Sequence, residues 1–102
     1  MPLKRGSIIG YDAELMMFEF TMVKPDARVV TCHISSVAMD YLDGRRGTGT
    51  IPSEREAQFI RLRDSIEKIA SDRFRAEHAV QGAIVRIFEK HLPEGRARRV
   101  RG

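Results

Sequence analysis

The sequence lacks several features on which common protein chemistries depend. It has one cysteine in 102 residues, so no disulfide can form within the chain. No apolar run approaches the roughly 20 residues that a membrane-spanning helix needs. No CxxC, HxxxH or HExxH spacing occurs, which argues against a zinc site. The segment "GRRGTG" has glycines but lacks the lysine–hydroxyl ending of a phosphate loop. We therefore expect no catalytic residues, no cofactor, no metal and no association with a membrane.

The length and composition fit one soluble globular domain. Hydrophobic residues make up 42% and charged residues 31% of the chain, both ordinary values for such a domain. The first residues, "MPLKRGSIIGYD", carry charges but no long apolar segment, unlike a secretory signal. A cytoplasmic location is therefore expected.

Positive charge is concentrated at the C-terminus. The formal net charge is +4, and the last nine residues, "EGRARRVRG", sum to +3 from four arginines and one glutamate, which leaves +1 for the rest. We predict one domain over residues 1–93 and a basic, disordered tail over 94–102. Arginines in the tail and in the glycine-rich segment near residue 45 could contact nucleic-acid phosphates. These candidates are Arg45, Arg46, Arg96, Arg98, Arg99 and Arg101.

Alternating apolar residues predict strands in the first third of the chain. Met16, Phe18, Phe20 and Met22 alternate and would share one face of a strand, with Glu19 and Thr21 on the opposite face. A second strand is predicted over residues 28–34, and Ile8 with Ile9 could form a short earlier one.

Cys32 and His33 are adjacent in the second of these strands. Successive side chains of a strand point to opposite faces, so the two residues cannot jointly bind a metal or form a thiolate–imidazole pair. Cys32 shares its face with Val30 and Ile34 and is predicted to be a buried packing residue. His33 is predicted to be partly exposed on the polar face.

Two helices follow these strands. Ser35 or Ser36 can cap a short helix that Gly44 ends. "SERE" reads as a capping box in which Ser53 begins a long helix and Glu56 reaches back to it. An apolar stripe along this helix predicts the side that packs on the sheet: Phe59, Leu62, Ile66, Ile69 or Ala70, and Phe74.

The segment "AIVRIFEKHL" fits both a helix and a strand. Three β-branched residues within five, after a glycine, favour the strand. In a strand, Glu89 and His91 would share a face as a possible acid–base pair.

Several of these residues together resemble domain-of-unknown-function family 1488, a family of small bacterial proteins. The resemblance covers about residues 8–92 and excludes the basic tail. It implies a compact α+β domain with a closing strand, and it implies no known activity. The resemblance rests on "VVTCHISSVAMD", "REAQFIRLRDSIEKIASDRF" and "GAIVRIFEKHL", including Phe18, Cys32, Ile34, Ser35, Phe59, Arg63, Ile66, Glu67, Ile69 and Ala70.

We predict an α+β fold in which a small antiparallel sheet of three or four strands packs against a short and a long helix. The leading functional hypothesis is a non-enzymatic interaction or regulatory module with an unidentified protein partner. The alternative is an accessory nucleic-acid binder that uses the arginine-rich tail, and the oligomeric state is left open. The predicted core contains Met16, Phe18, Phe20, Val30, Cys32, Ile34, Leu42, Phe59, Leu62, Ile66, Ile69, Phe74 and part of residues 84–88.

Overall fold

The structure is a computed structural model that describes residues 3–44, 51–77 and 84–92. Within these ranges four strands and two helices follow one another along the chain. The strands are β1 (Lys4–Asp12), β2 (Met17–Val23), β3 (Val29–Ser35) and β4 (Val85–Ile87), and the helices are α1 (Ser36–Asp43) and α2 (Pro52–Glu77). One turn of 3₁₀ helix, Glu89–His91, follows β4.

The strands form a single sheet in the order β1-β2-β3-β4. The first three make an antiparallel meander, whereas β4 pairs parallel to β3. The predicted α+β class with one short and one long helix is confirmed. The sheet is mixed, however, and not antiparallel throughout. The reason is that the chain crosses over through both helices before β4, and such a crossover returns it parallel to β3.

Both helices contribute to a core on one face of the sheet. Phe59 of α2 stacks on Phe18 with ring centroids 4.6 Å apart and lies 4.9 Å from the Phe20 ring. Ala38 and Met39 of α1 are fully buried in the same cluster. The predicted core is confirmed at most positions, although some members are only partly buried. The partly buried members are Leu42, Leu62 and Phe74.

Met16 is the one predicted core residue that is exposed. It ends the turn between β1 and β2 and has a positive φ of 57°, so the alternation that begins at Phe18 does not extend back to it. Strand β1 is also longer than predicted, because it spans nine residues where the sequence suggested only Ile8 and Ile9.

Both ends of α1 have the capping residues that the sequence predicted, whereas the start of α2 differs from the prediction. The Ser35 hydroxyl accepts a hydrogen bond from the Ala38 N–H at 3.0 Å, and Gly44 ends α1 in the left-handed conformation, as predicted. The capping box at Ser53 is wrong, since α2 begins at Pro52. The carbonyl of Ile51 accepts from the N–H groups of Glu54 and Arg55 in the first turn, and a proline is well suited to the first helical position.

The closing segment is a strand, as favoured, but it ends at Ile87. Glu89 and His91 therefore lie in the 3₁₀ turn and do not share a strand face. His91 Nδ1 accepts a hydrogen bond from the Phe88 N–H at 3.0 Å, which gives this histidine a structural part in the turn.

Candidate interaction surface

Cys32 is a packing residue, as predicted. Its side chain is fully buried on the core face of β3 beside Val30 and Ile34. Burial raises the pKa of the Cys32 thiol to about 12, with a smaller contribution from the charge of Glu67. The thiol is therefore protonated at neutral pH and is not available as a nucleophile or metal ligand.

His33 lies on the opposite face of β3 but is buried, which corrects the prediction. It is only 8% exposed, and its Nε2 lies 3.5 Å from Glu19 Oε2. Glu19 opposes His33 directly from β2, and Arg86 opposes it from β4. The pairing depends on strand register, so adjacent residues in the sequence gave no signal of it.

The six arginines predicted to contact nucleic acid are Arg45, Arg46, Arg96, Arg98, Arg99 and Arg101, and all lie outside the described residues. The predicted boundary between domain and tail, at residue 93, lies outside them as well. Within residues 3–44, 51–77 and 84–92, no group of three or more histidine, cysteine or acidic residues could hold a metal ion. None of the helices in these ranges is both long and apolar enough to cross a membrane.

A buried polar network, here called the helix clamp, joins α1 to α2. Arg55, only 5% exposed, donates to Asp40 at 2.8 Å and to Gln58 at 2.7 Å. Gln58 donates in turn to Asp40 at 2.9 Å and to Asp43 at 3.1 Å, and Arg61 donates to Asp43 at 2.6 Å. Most polar atoms of the clamp are thus satisfied within the protein, and the clamp fixes the position of α1.

A second polar cluster joins α2 to β1. Arg5 donates to both oxygens of Glu67 at 2.9–3.0 Å and to Asp64 at 2.8 Å. Hydrogen bonding to Glu67 is the main cause of the raised pKa of Arg5. Arg63 donates to Glu67 at 2.9 Å and to the Gly6 carbonyl at 3.2 Å. The cluster is structural, because its charges are paired with one another.

A groove of about 420 Å³ lies beside this cluster, between α2 and the sheet. Leu3 and Met22 form apolar lining, and the remaining residues are mostly charged. Asp72 is already paired with Lys68 at 3.4 Å and with Arg75 at 2.9 Å. A ligand entering the groove would have to compete with these ion pairs.

Exposed apolar residues concentrate elsewhere, at one end of the sheet. Nine large apolar side chains of the described residues are exposed, and five of them belong to elements that meet at this end. We call these five the apolar end: Leu15, Met16, Val37, Tyr41 and Phe88.

Strand register and one hydrogen bond bring the apolar end together. The Ser36 N–H donates to the Met16 carbonyl at 3.0 Å, which joins the β1–β2 turn to the start of α1. Val37 and Tyr41 are four residues apart on α1 and therefore share one side of it. Ile34 pairs with Ile87, so Phe88 follows β4 at the same end of the sheet.

Met16 is unusual in two respects at once. Its side chain is 54% exposed, and its backbone takes a left-handed conformation that favours glycine or asparagine. The turn before it is ordered by Asp12, whose carboxylate accepts from the N–H groups of Glu14 and Leu15 at 3.0 and 3.1 Å. The turn thus holds an apolar side chain in solvent at a cost in backbone strain.

Unpaired negative charge lies at this same end. Four exposed glutamates of the described residues make no ion pair or side-chain hydrogen bond. Glu14 is in the turn that carries Met16, and Glu89 follows Phe88. The other two are at the start of α2, on either side of Arg55. The four are Glu14, Glu54, Glu56 and Glu89.

The fold and this surface define a small α+β domain whose interior polar groups are mostly paired within the protein and whose apolar end is exposed and bordered by negative charge. The sequence matches the model of a family described as a protein of unknown function (DUF1488) over residues 9–85, so the chain belongs to this family. The resemblance seen in the sequence is thereby confirmed. The matched range includes the residues of the apolar end except Phe88.

A solved structure supports the same assignment. A protein of unknown function from the DUF1488 family of Shewanella loihica PV-4 superimposes with a TM-score of 0.58 and 26% sequence identity. The alignment covers 79% of this chain and 91% of that protein. No curated protein matches the sequence.

Proposed function

We propose that this protein is a non-enzymatic interaction module and that its apolar end binds a segment of a partner protein. The observation that carries the proposal is Met16, where exposure of an apolar side chain and left-handed backbone coincide. A glycine at position 16 would remove both the exposed apolar side chain and the backbone strain. Stability therefore does not explain the methionine, whereas contact of its side chain with a partner does. Leu15 and Val37 extend the exposed apolar area on either side.

The chemistry of the partner follows from the surface. Apolar anchor residues would pack against Met16 and Val37, since apolar contact drives most protein association. The unpaired glutamates around them favour lysine or arginine beside those anchors, because complementary charge speeds association and selects among partners. The partner segment is therefore apolar with basic flanks.

The paired state of the internal polar groups supports the non-enzymatic part of the proposal. Catalysis needs titratable groups that converge on a place where substrate can enter. Within the described residues the carboxylates of the helix clamp and of the Arg5 cluster are already bonded to arginines. A bacterial cytoplasmic setting is part of the same proposal, supported by the Shewanella relative and by a cysteine that is free and buried.

A peptide-display selection on the immobilised full-length protein tests this function. Random short peptides are selected on the wild type and on the double variant Met16→Ser, Val37→Ser. The matched control is Val29→Ser, Ile60→Ser, which makes the same kind of change at exposed apolar residues outside the apolar end. We expect the wild type and the control to select apolar peptides with lysine or arginine flanks, and the test variant to lose them.

Two outcomes would contradict the proposal. Equal selection by the test variant would mean that the apolar end is not the docking surface. Selection of acidic peptides would mean that the partner chemistry is wrong. Loss of a half-exposed apolar side chain should cost on the order of 1 kcal/mol, a small part of the about 5–15 kcal/mol stability of a typical domain, so all three proteins should be folded during selection.

The alternative function, accessory binding of nucleic acid through the arginine-rich tail, depends on Arg96, Arg98, Arg99 and Arg101, with Arg45 and Arg46 as further candidates. Four arginine–phosphate contacts would give a log–log salt dependence of about −3 to −4. Apolar docking would depend on salt much less, so the two functions are separable by one titration.

A further inference from the structure

Strand β1 is one edge of the sheet that the structure describes. It pairs with β2 along one side, and no strand within residues 3–44, 51–77 and 84–92 pairs with its other side. It has nine residues, whereas β4 at the opposite edge has three. A long edge strand presents a row of main-chain N–H and C=O groups with which another strand can pair.

Two bulges divide β1 symmetrically about Ile8. The register against β2 shifts once between Arg5 and Ile8 and again between Ile8 and Gly10. A bulge adds a residue to one strand of a pair and so interrupts the alternation of faces. Ile8 is also the midpoint of the strand, and Gly6 and Gly10 lie two residues to either side of it.

The face that each β1 residue occupies follows the same symmetry. Directly opposed residues of an antiparallel pair share a face of the sheet. Arg5, Ile8 and Tyr11 oppose buried core residues of β2 and so lie on the helix side. Lys4 and Asp12 oppose the alternate residues of β2 and so lie on the other side. Reversing the strand about Ile8 therefore exchanges residues that occupy the same face.

A second copy of β1 can consequently pair antiparallel with this edge along its whole length. Ile8 then opposes Ile8 of the second copy, and Lys4 opposes Asp12 at both ends. Lys4 is exposed and has no bonded partner in the described part of the chain. Asp12 orders its turn through Oδ1, which leaves Oδ2 for the lysine. A shift of one residue would instead oppose residues of different faces, such as Arg5 and Asp12.

We propose that two copies of this protein associate through β1, antiparallel and centred on Ile8, into one sheet with four strands from each copy. Lysines and bulges usually prevent pairing at a sheet edge. Here each lysine meets a carboxylate and each bulge faces a bulge. Ile9 is 56% exposed beside the centre, so both copies bury apolar surface there. The contact is two-fold symmetric and ends at the dimer, and it is independent of the apolar end.

Sedimentation equilibrium of the full-length protein measures this association. We expect the mass to approach twice the 11.6 kDa of one chain as the concentration rises. A protein that stays monomeric up to about 1 mM would overturn the proposal, because a dimer with a dissociation constant of about 1 mM would already be visible.

Charge reversal tests the register of the pairing. Lys4→Asp and Asp12→Lys each place like charges opposite one another at both ends of the dimer. Opposed like charges destabilise a strand pair, so each variant alone should dimerise at least about tenfold more weakly. Mixing the two variants restores opposite charges at both ends and should restore the dimer. Lys90→Asp is the matched control at an exposed lysine outside β1 and should behave like the wild type.

Cysteine cross-linking provides a second readout. Chains carrying Lys4→Cys and Asp12→Cys should form a disulfide-linked heterodimer when mixed, because opposed strand residues lie within the Cα separation of about 4.4–6.8 Å that a disulfide needs. Neither variant should cross-link with itself, since the two copies of either position are about 26 Å apart along the strand. Cys32 is fully buried and should stay reduced.

Three results would assign the contact to another surface and overturn the proposal. One is a dimer that Lys4→Asp does not weaken, a test that stands even if the variants at Asp12 do not fold, because Lys4 is exposed. Another is self-cross-linking of Lys4→Cys, which would indicate parallel pairing. The third is loss of the dimer in the Met16→Ser, Val37→Ser variant, which would place the contact at the apolar end.

Discussion

Replacing Met16 by glycine and by alanine should reverse the usual order of stability. At an ordinary site glycine is about 0.5–1 kcal/mol less stable than alanine, because it loses more freedom on folding. Met16 has φ 57°, and a left-handed residue with a Cβ costs about 1–2 kcal/mol. Subtracting the first effect from the second leaves glycine more stable than alanine by about 0.5–1 kcal/mol.

The stability of each Met16 variant relative to the wild type depends on how much of the Met16 side chain is exposed. Full burial of methionine is worth about 1.5–3 kcal/mol, and Met16 is 54% exposed, so its removal costs on the order of 1 kcal/mol. Relief of the backbone offsets this loss in Met16→Gly, which should match the wild type. Met16→Ala should be about 1 kcal/mol less stable, since it loses the side chain and keeps the strain.

Denaturant unfolding of the full-length variants measures both differences. Leu15 is the matched control, because it is next in the same turn, equally exposed, and has no positive φ. There alanine should be the more stable substitution. If alanine is at least as stable as glycine at Met16, the turn does not hold this residue in a left-handed conformation and the strain argument is refuted. Both Met16 variants should lose the selected peptides whatever their stability.

The remaining predictions concern the interior and the tail. Cys32 should react with a thiol reagent only on unfolding. Because burial raises the pKa of its thiol, the contribution of the thiol to the free energy of unfolding is constant below pH 9 and is lost as the pH rises toward about 12, which unfolding measured at graded pH will show. Arg55→Ala should cost about 3 kcal/mol in thermal unfolding, because the buried Arg55 side chain is lost and the partly buried Asp40 loses its charged partner. A loss below about 1 kcal/mol would mean that the clamp is solvated. Ser35→Ala should lower stability by about 0.5–2 kcal/mol, while Ser53→Ala should leave the denaturation midpoint nearly unchanged. A labelled oligonucleotide should bind weakly or not at all near physiological salt, and a tight, salt-sensitive complex lost on deleting residues 94–102 would favour the nucleic-acid alternative.

Local patterns predicted most of the fold. Alternation located β2 and β3, and the apolar stripe of α2 placed Phe59 and Ile66 in the core. The errors in the predicted fold concern the first residue of α2, for which two neighbouring residues were candidates, and the pairing of strands that are distant in the sequence. Pro52 precedes Ser53 and took the first helical position, and the parallel pairing of β4 depends on a crossover that no local pattern encodes.

The surface was less predictable than the fold. Met16 looked like one more apolar residue of an alternating strand, because its turn conformation is set by residues on both sides of it. His33 is buried beside Glu19, which comes from another strand. Apolar residues of an exposed cluster look like core residues in the sequence. Only the register of the sheet shows which apolar residues are buried and which are exposed.

Phe88 makes the apolar end depend on the pairing of a short strand with β3. Leu15, Met16 and Val37 are positioned by the pairing of β1, β2 and β3, whose contacts are close in sequence. Phe88 depends instead on β4, which follows the crossover through both helices and spans just three residues. Brief release of this strand would remove one corner of the surface. On the proposed function, a partner that contacts Phe88 would bind chains in which β4 is paired with β3, and its binding would stabilise that pairing.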